Sequence, residues 1–209
     1  MELDFRKLEV TKLFDFSKEE EKLIIEIYDQ LSKIYSISVT DIEDSPYNQF
    51  CFDNTNPLKT PKICYYITNK DKTNTFYLFI INTVVNTIGA SSKGSRTADK
   101  YDTIEIWGLK KLDDDFGFIS VTRKNIADKI AEIFSSSDSN FRDFKNHSFQ
   151  GSDSSKTLAF LNPRRKEIIK AFPDKDFRLD IKNNILGFGL PQTLNVNNAL
   201  IVSKFLNEI

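Results

Sequence analysis

The chain has 209 residues, 40% of them hydrophobic and 28% charged, and its 29 basic and 30 acidic side chains leave a net charge of −1. That length suits one sizeable domain or two small lobes, and the composition is that of a soluble globular protein. The balanced charge provides no basic domain or stripe for nucleic acid and no run of like charge for a solvated tail, so nucleic acid is not an expected partner.

In chain order, residues 1–7 lack the basic region and apolar stretch of a signal peptide. Ser17 and Glu20 then read as a capping box, in which each side chain reaches the other's backbone N–H. Leu23, Ile24, Ile27, Tyr28, Leu31 and Ile34 follow at three- and four-residue spacing, opposite Glu21, Lys22, Glu26, Asp29 and Lys33. This predicts an amphipathic helix over residues 17–36. Pro46, Pro57 and Pro61, among Asn and Asp residues, predict mostly loop, with a short strand near residues 49–52. Residues 63–68 and 75–85 are aromatic and β-branched and flank a polar turn at 69–74, a hairpin signal. The second run is apolar on both faces over residues 76–81, as expected of a covered central strand. It is far short of the ~18–20 residues that span a bilayer, so no membrane insertion is expected. A cytoplasmic protein follows, with Cys51 and Cys64 as buried, reduced thiols.

Residues 89–96 predict a flexible loop, and residues 103–107 and 117–121 predict strands around a charged turn at 110–115. Thr122 as N-cap, with Ile126, Ala127, Ile130, Ile133 and Phe134 behind it, predicts a helix that frays into the serine-rich residues 135–139. Beyond it, residues 157–161 read as a strand. Asn162-Pro163 opens a helix that ends before Pro173, residues 177–181 and 185–188 form a hairpin, and Asn195 caps a last helix. The expected fold class is α+β, an antiparallel sheet of long hairpins packed against helices. Residues 1–139 form the helix-plus-sheet lobe and residues 140–209 a smaller α+β lobe, or the two make one continuous domain.

The chemistry is sparse. His147 is the single histidine, whereas histidine is the usual general base and the commonest metal ligand near neutral pH. Cys51 and Cys64 complete no metal or redox motif. Gly89 and Gly94 have the spacing of a phosphate-binding loop, but Ser95-Arg96 stand where it needs lysine and then serine or threonine, and no helix starts there. Asp113-Asp114-Asp115 lacks the alternating oxygens of a hard-cation site and reads as a turn. No serine sits in a G-x-S-x-G elbow. Asp174, Asp180 and Lys182 resemble parts of a nuclease site, two carboxylates for a divalent metal and a lysine for the attacking water. They stand too close in sequence for the usual strand crossing, and Lys182 falls at a turn, so a solvated hairpin edge is the plainer reading. No metal or cofactor is expected.

Tyr65, Tyr66, Phe76, Tyr77, Phe79 and Trp107 form an aromatic set that suits a pocket or a partner-facing surface, since Tyr and Trp are enriched at interface hot spots. His147, among Phe141, Phe144 and Phe149, joins Tyr65, Tyr66, Tyr77 and Trp107 as a binding candidate; hydrophobic core is the competing reading.

The serial pattern over residues 63–209 also resembles a family of uncharacterised bacterial proteins known as a domain of unknown function, many of them membrane-tethered. The likeness lies in the paired strands at 63–68 and 75–85, in Phe116-Gly117-Phe118-Ile119 feeding a helix, and in the aromatic stretch from Asn140-Phe141-Arg142-Asp143-Phe144 to His147-Ser148-Phe149. Ser148 stands where the family has proline in a His-Pro-x-Phe-like stretch, and the transmembrane segments are missing. The family has no established activity, so the resemblance implies a fold and no catalytic residues. The functional expectation is a non-catalytic protein-interaction module of accessory or immunity type, with a protein partner. A small-molecule or lipid-binding domain is the first alternative, and a cryptic metal-dependent nuclease or hydrolase on Asp174, Asp180 and Lys182 the second.

Overall fold

The computed structural model describes residues 16–50, 57–90, 96–124 and 147–209. Its first element forms as the capping box dictates: the Glu20 N–H donates to Ser17 Oγ at 3.3 Å and the Ser17 N–H donates to Glu20 Oε2 at 2.7 Å. Helix α1 (Lys18–Ser32) buries Ile24, Ile27 and Leu31. It ends before residue 36 because Tyr35, Ile37 and Val39 alternate with Ser36, Ser38 and Thr40, a period of two that makes strand β1 (Tyr35–Thr40). Next comes a 3₁₀ turn (Ile42–Asp44) and a single helical turn, α2 (Tyr47–Phe50), in place of the strand expected near 49–52. Local bonds decide this: the Pro46 carbonyl accepts from the Gln49 and Phe50 N–H groups, and Ser45 Oγ accepts from the Tyr47 N–H at 3.2 Å. Residues 51 and 52 lie outside the described residues.

Strand β2 (Leu58–Asn69) begins before Pro61, inside the stretch expected as loop. A register shift between Pro61 and Ile63 accommodates the proline, which has no N–H to give a ladder. Strands β3 (Thr75–Ala90) and β4 (Arg96–Lys111) run into residues expected as loop and charged turn. Strand β5 (Phe118–Arg123) includes Thr122, expected as a helix cap, and β6 is His147–Gly151. The helix expected after Thr122, the boundary at 135–139, Cys51, and the phenylalanines 141 and 144 lie outside the described residues. Residues 157–161 are not a strand. The Asp153 side chain accepts from the Ser155 and Lys156 N–H groups at 2.7 and 3.0 Å, and this cap sets helix α3 (Ser154–Phe160). Asn162 caps α4 (Pro163–Ala171), with Pro163 in the first turn as expected. Strands β7 (Arg178–Lys182) and β8 (Ile185–Leu190) form the late hairpin, and Asn195 caps α5 (Val196–Glu208).

The fold is α+β: among the described residues eight strands pair in one antiparallel sheet, in the order β1-β2-β3-β4-β8-β7-β5-β6. β7 and β8 thus insert between β4 and β5, and strands from either side of residue 139 share that sheet. Alternation along each strand divides the side chains between two faces. One face carries Leu78, Ile80, Ile106, Leu179, Ile181 and Phe188, and against it α1, α3, α4 and α5 bury the main core. There Phe188 and Phe205 stack with ring centroids 3.7 Å apart. The far face gathers Cys64, Phe79, Ile81, Trp107 and Leu109 under Tyr47 and Phe50. β8 explains how both faces close. Its sequence puts Leu186, Phe188 and Leu190 on the helix side and Gly187 and Gly189 on the other. A Cβ on Gly187 would collide with the Phe50 ring, and one on Gly189 with the Trp107 indole. Among the described residues no helix is long and apolar enough to cross a membrane.

Candidate functional site

Four of the sequence-selected aromatics, Tyr65, Phe76, Phe79 and Trp107, are core. Tyr65 is 1% exposed, its ring tilted 6.0 Å from that of Tyr28, and burial pushes its phenol well above the usual range. Trp107, also 1% exposed, lies flat over Gly189. Its indole N–H donates to Glu105 Oε2 at 2.7 Å, and the Lys59 ammonium donates to the same oxygen at 2.8 Å while sitting 3.7 Å above the Trp107 ring. Both charged side chains are only 7% exposed. Burial draws the Lys59 pKa down, and the Glu105 charge opposes it. This trio from β2 and β4 is a neutralised, closed assembly. A buried charge is tolerable only when paired and hydrogen-bonded, and here every charge is both.

The nuclease candidates are likewise engaged, each in a different network. Asp180, 5% exposed, accepts from Ser120 Oγ and from Arg178 Nε, both at 2.6 Å. Lys182 Nζ donates to the Phe50 carbonyl at 2.6 Å, which ties β7 to α2. Asp174 accepts from Gln192 Nε2 and from the Asp176 N–H, both at 2.8 Å. Among the described residues no three of His, Cys, Asp or Glu come together as a metal site. His147 stacks on Phe177 with centroids 4.6 Å apart and bonds to the Lys175 backbone. Its Nε2 is buried without a hydrogen-bond partner among the described residues. Burial lowers its pKa, and the charges of Lys124, Arg123 and Lys175 add to that.

The remaining pair, Tyr66 and Tyr77, is different. Cross-strand partners on β2 and β3, they are half-buried with centroids 5.2 Å apart. They line a cleft of about 550 Å³ on the far face, together with Glu43 and Asp44 of the 3₁₀ turn, Gln49, and Asn184 of the β7–β8 turn. Burial, helped by Tyr66, Cys64 and Asp44, raises the Tyr77 phenol.

A second cleft, of about 410 Å³, adjoins it at the same end of the sheet, and Thr75 and Lys111 line both. Here the end of β4 supplies Lys110 and Lys111, and the first turn of α4 supplies Arg164 and Arg165. Asn162 Oδ1, accepting from the Arg165 N–H at 2.9 Å, fixes that turn. Lys110 Nζ donates to the Leu206 carbonyl at 2.9 Å, and Arg164 Nη2 to the Glu208 carbonyl at 3.3 Å. The Arg165 guanidinium sits 5.0 Å from both the Phe116 and the Phe160 ring centroids. Asp113 and Glu208 also line the cleft. Yet, among the described residues, none of the four cations comes within ion-pair distance of a carboxylate. Burial and then the charges of Arg165 and Arg164 bring the Lys110 pKa down to about 8.

Sequence reasoning passed over this cleft. Lys110 and Lys111 read as part of a charged turn, and the helix opened by Asn162-Pro163 is read without regard to Arg164 and Arg165. One signal was present: two arginines in the first turn of a helix oppose its dipole, which favours acidic groups there. The chain matches no family model, no curated protein and no solved structure.

Proposed function

We propose that this protein acts by binding rather than by catalysis, and that its ligand is a compact polyanion of the oligophosphate type held in the basic cleft. One observation carries the reading: Lys110, Lys111, Arg164 and Arg165 line one cleft from two elements, and among the described residues none of them is within ion-pair distance of a carboxylate. The charges of Arg164 and Arg165, in the first turn of α4, act on Lys110, and an incoming anion with several oxygens relieves that repulsion. Arginine supplies forked donors suited to phosphate oxygens, and lysine a point charge. The candidate catalytic groups Asp174, Asp180 and Lys182 contribute instead to structural hydrogen bonds. Isothermal titration with inorganic tripolyphosphate tests the proposal. Saturable binding is expected, lost in the double variant Arg164→Glu/Arg165→Glu; absence of binding to the parent protein at low ionic strength overturns it.

A second reading, the protein partner, rests on β1. Its side chains carry no charge and no proline, and among the described residues only β2 pairs with it. Such an edge offers its N–H and C=O groups to an extended segment of another chain. A stoichiometric partner retained by the tagged protein and lost on Ser38→Lys supports strand addition; retention unaffected by that charge argues against it.

A further inference from the structure

We infer that the polyanion carries an aromatic ring, so that the ligand is a nucleoside polyphosphate with its phosphates in the basic cleft and its base against Tyr66 and Tyr77. The inference rests on the oligophosphate reading and extends it to the neighbouring cleft. Thr75 and Lys111 belong to the walls of both, so a ligand seated on Lys111 at the end of the sheet borders each cleft. Each cleft, at about 410 and 550 Å³, lies within the roughly 300–1,000 Å³ usual for small-molecule sites.

The two clefts differ in chemistry in the way the two ends of a nucleotide differ. Beside Lys111 toward α4 stand cations, suited to phosphate. Beside Lys111 toward α2 stand two half-buried phenol rings, suited to stacking, with the carboxylates of Glu43 and Asp44 at the rim. Those carboxylates repel phosphate and accept from the N–H and amino groups of a base, while Asn184 and Gln49 each offer a donor and an acceptor. Orientation is therefore fixed by charge before any fine fit. Inorganic oligophosphate, which has no ring, leaves the two phenol rings unused.

The test compares ATP and GTP with inorganic tripolyphosphate, and adenosine and guanosine with both, by isothermal titration on the full chain. At least one nucleoside triphosphate is expected to bind about tenfold or more tighter than tripolyphosphate, since stacking a base on an aromatic side chain contributes on that order. Tyr66→Ala and Tyr77→Ala should collapse that ratio toward one. Tyr66→Phe, which keeps the ring, should retain it, and circular dichroism of each variant guards against misfolding. Equal affinity for nucleotide and tripolyphosphate sinks the inference but leaves the oligophosphate reading standing. A nucleotide preference insensitive to both alanine variants also sinks it, because the ring then sits elsewhere. Failure of every phosphate compound to bind removes both.

Discussion

Lys59 and Lys110 are both lysines whose pKa is lowered by burial, yet they belong to opposite kinds of assembly. Lys59 meets Glu105 and Trp107 at 2.8 and 3.7 Å, and the trio is sealed between sheet and α2 side. Lys110 meets a carbonyl and the charges of two arginines, next to an open cleft. The first arrangement spends its charge internally; the second holds charge in reserve. That contrast, rather than burial or pKa as such, separates architecture from the proposed binding cleft. The aromatic set divides along the same line, with Tyr65, Phe76, Phe79 and Trp107 in the core and Tyr66 and Tyr77 on a cleft wall.

The largest effect should come from breaking the closed assembly. Glu105→Ala removes the oxygen that accepts from both Lys59 and the Trp107 N–H, and removal of one partner of a buried pair costs about 3–5 kcal/mol. Urea denaturation measures this. With Glu105 gone, the Lys59 pKa falls further below 10.5 in the folded state, so between those values the unfolded chain holds more protons. The loss should therefore shrink as pH rises toward 10.5. The double variant Lys59→Met/Glu105→Leu should recover most of the stability, because a buried pair replaced by apolar groups is often near neutral. A Glu105→Ala protein as stable as the parent would mean the trio is not sealed.

Lys110→Met should do the reverse at neutral pH. The folded pKa of about 8 lies below the ordinary 10.5, so carrying the proton on Lys110 penalises the folded state fully below about 8. As pH rises through that value toward 10.5 the penalty fades and the parent gains stability. The methionine variant lacks both, so its melting temperature should be higher than the parent's near pH 7 by a degree or few, about the size of a 1 kcal/mol change or less, with the gap closing above pH 8. A gap that persists to pH 10.5 would attribute the effect to packing and not to charge.

The fold was legible where the signal is local. Ser17 with Glu20, Asn162 before Pro163, and Asn195 each fix a helix start by side-chain bonds within three residues, and each was readable. Residues 157–161 were misread because a β-branched threonine and three large apolar side chains look like strand, while Asp153, which decides the matter, stands upstream. β8 read as a hairpin strand, but why its glycines are needed was not readable, since Phe50 and Trp107 come from distant elements. The basic cleft shares that property. Lys110 and Arg165 are neighbours only because β4 ends where α4 begins, a fact of tertiary structure. What the sequence did contain was a breach of the dipole rule at Arg164 and Arg165, and such breaches concentrate at functional positions.

The smallest effect, and the most cleanly observed, concerns His147, which is neither in the closed trio nor in the cleft. Its pKa lies below 6.5 through burial against Phe177 and the charges of Lys124, Arg123 and Lys175, with the Lys175 backbone bond opposing. The folded state therefore disfavours its proton. Its contribution to stability is complete above pH 6.5 and is lost as pH falls from there through the lower folded-state pKa. Because the chain has one histidine, a single imidazole signal reports it in a proton NMR titration without assignment. The expected midpoint is below 6.5, and His147→Gln should soften the acid-side decline in stability while leaving the alkaline behaviour of Lys110 intact. A midpoint above 6.5 would require a carboxylate beside the ring in place of the three cations, and the cation-rich surroundings assigned to β6 would then be wrong. Nor should tripolyphosphate move that midpoint. A shift on its addition would put the anion near β6 instead of at the junction of β4 and α4, and the contrast between the two lysines would lose its functional half.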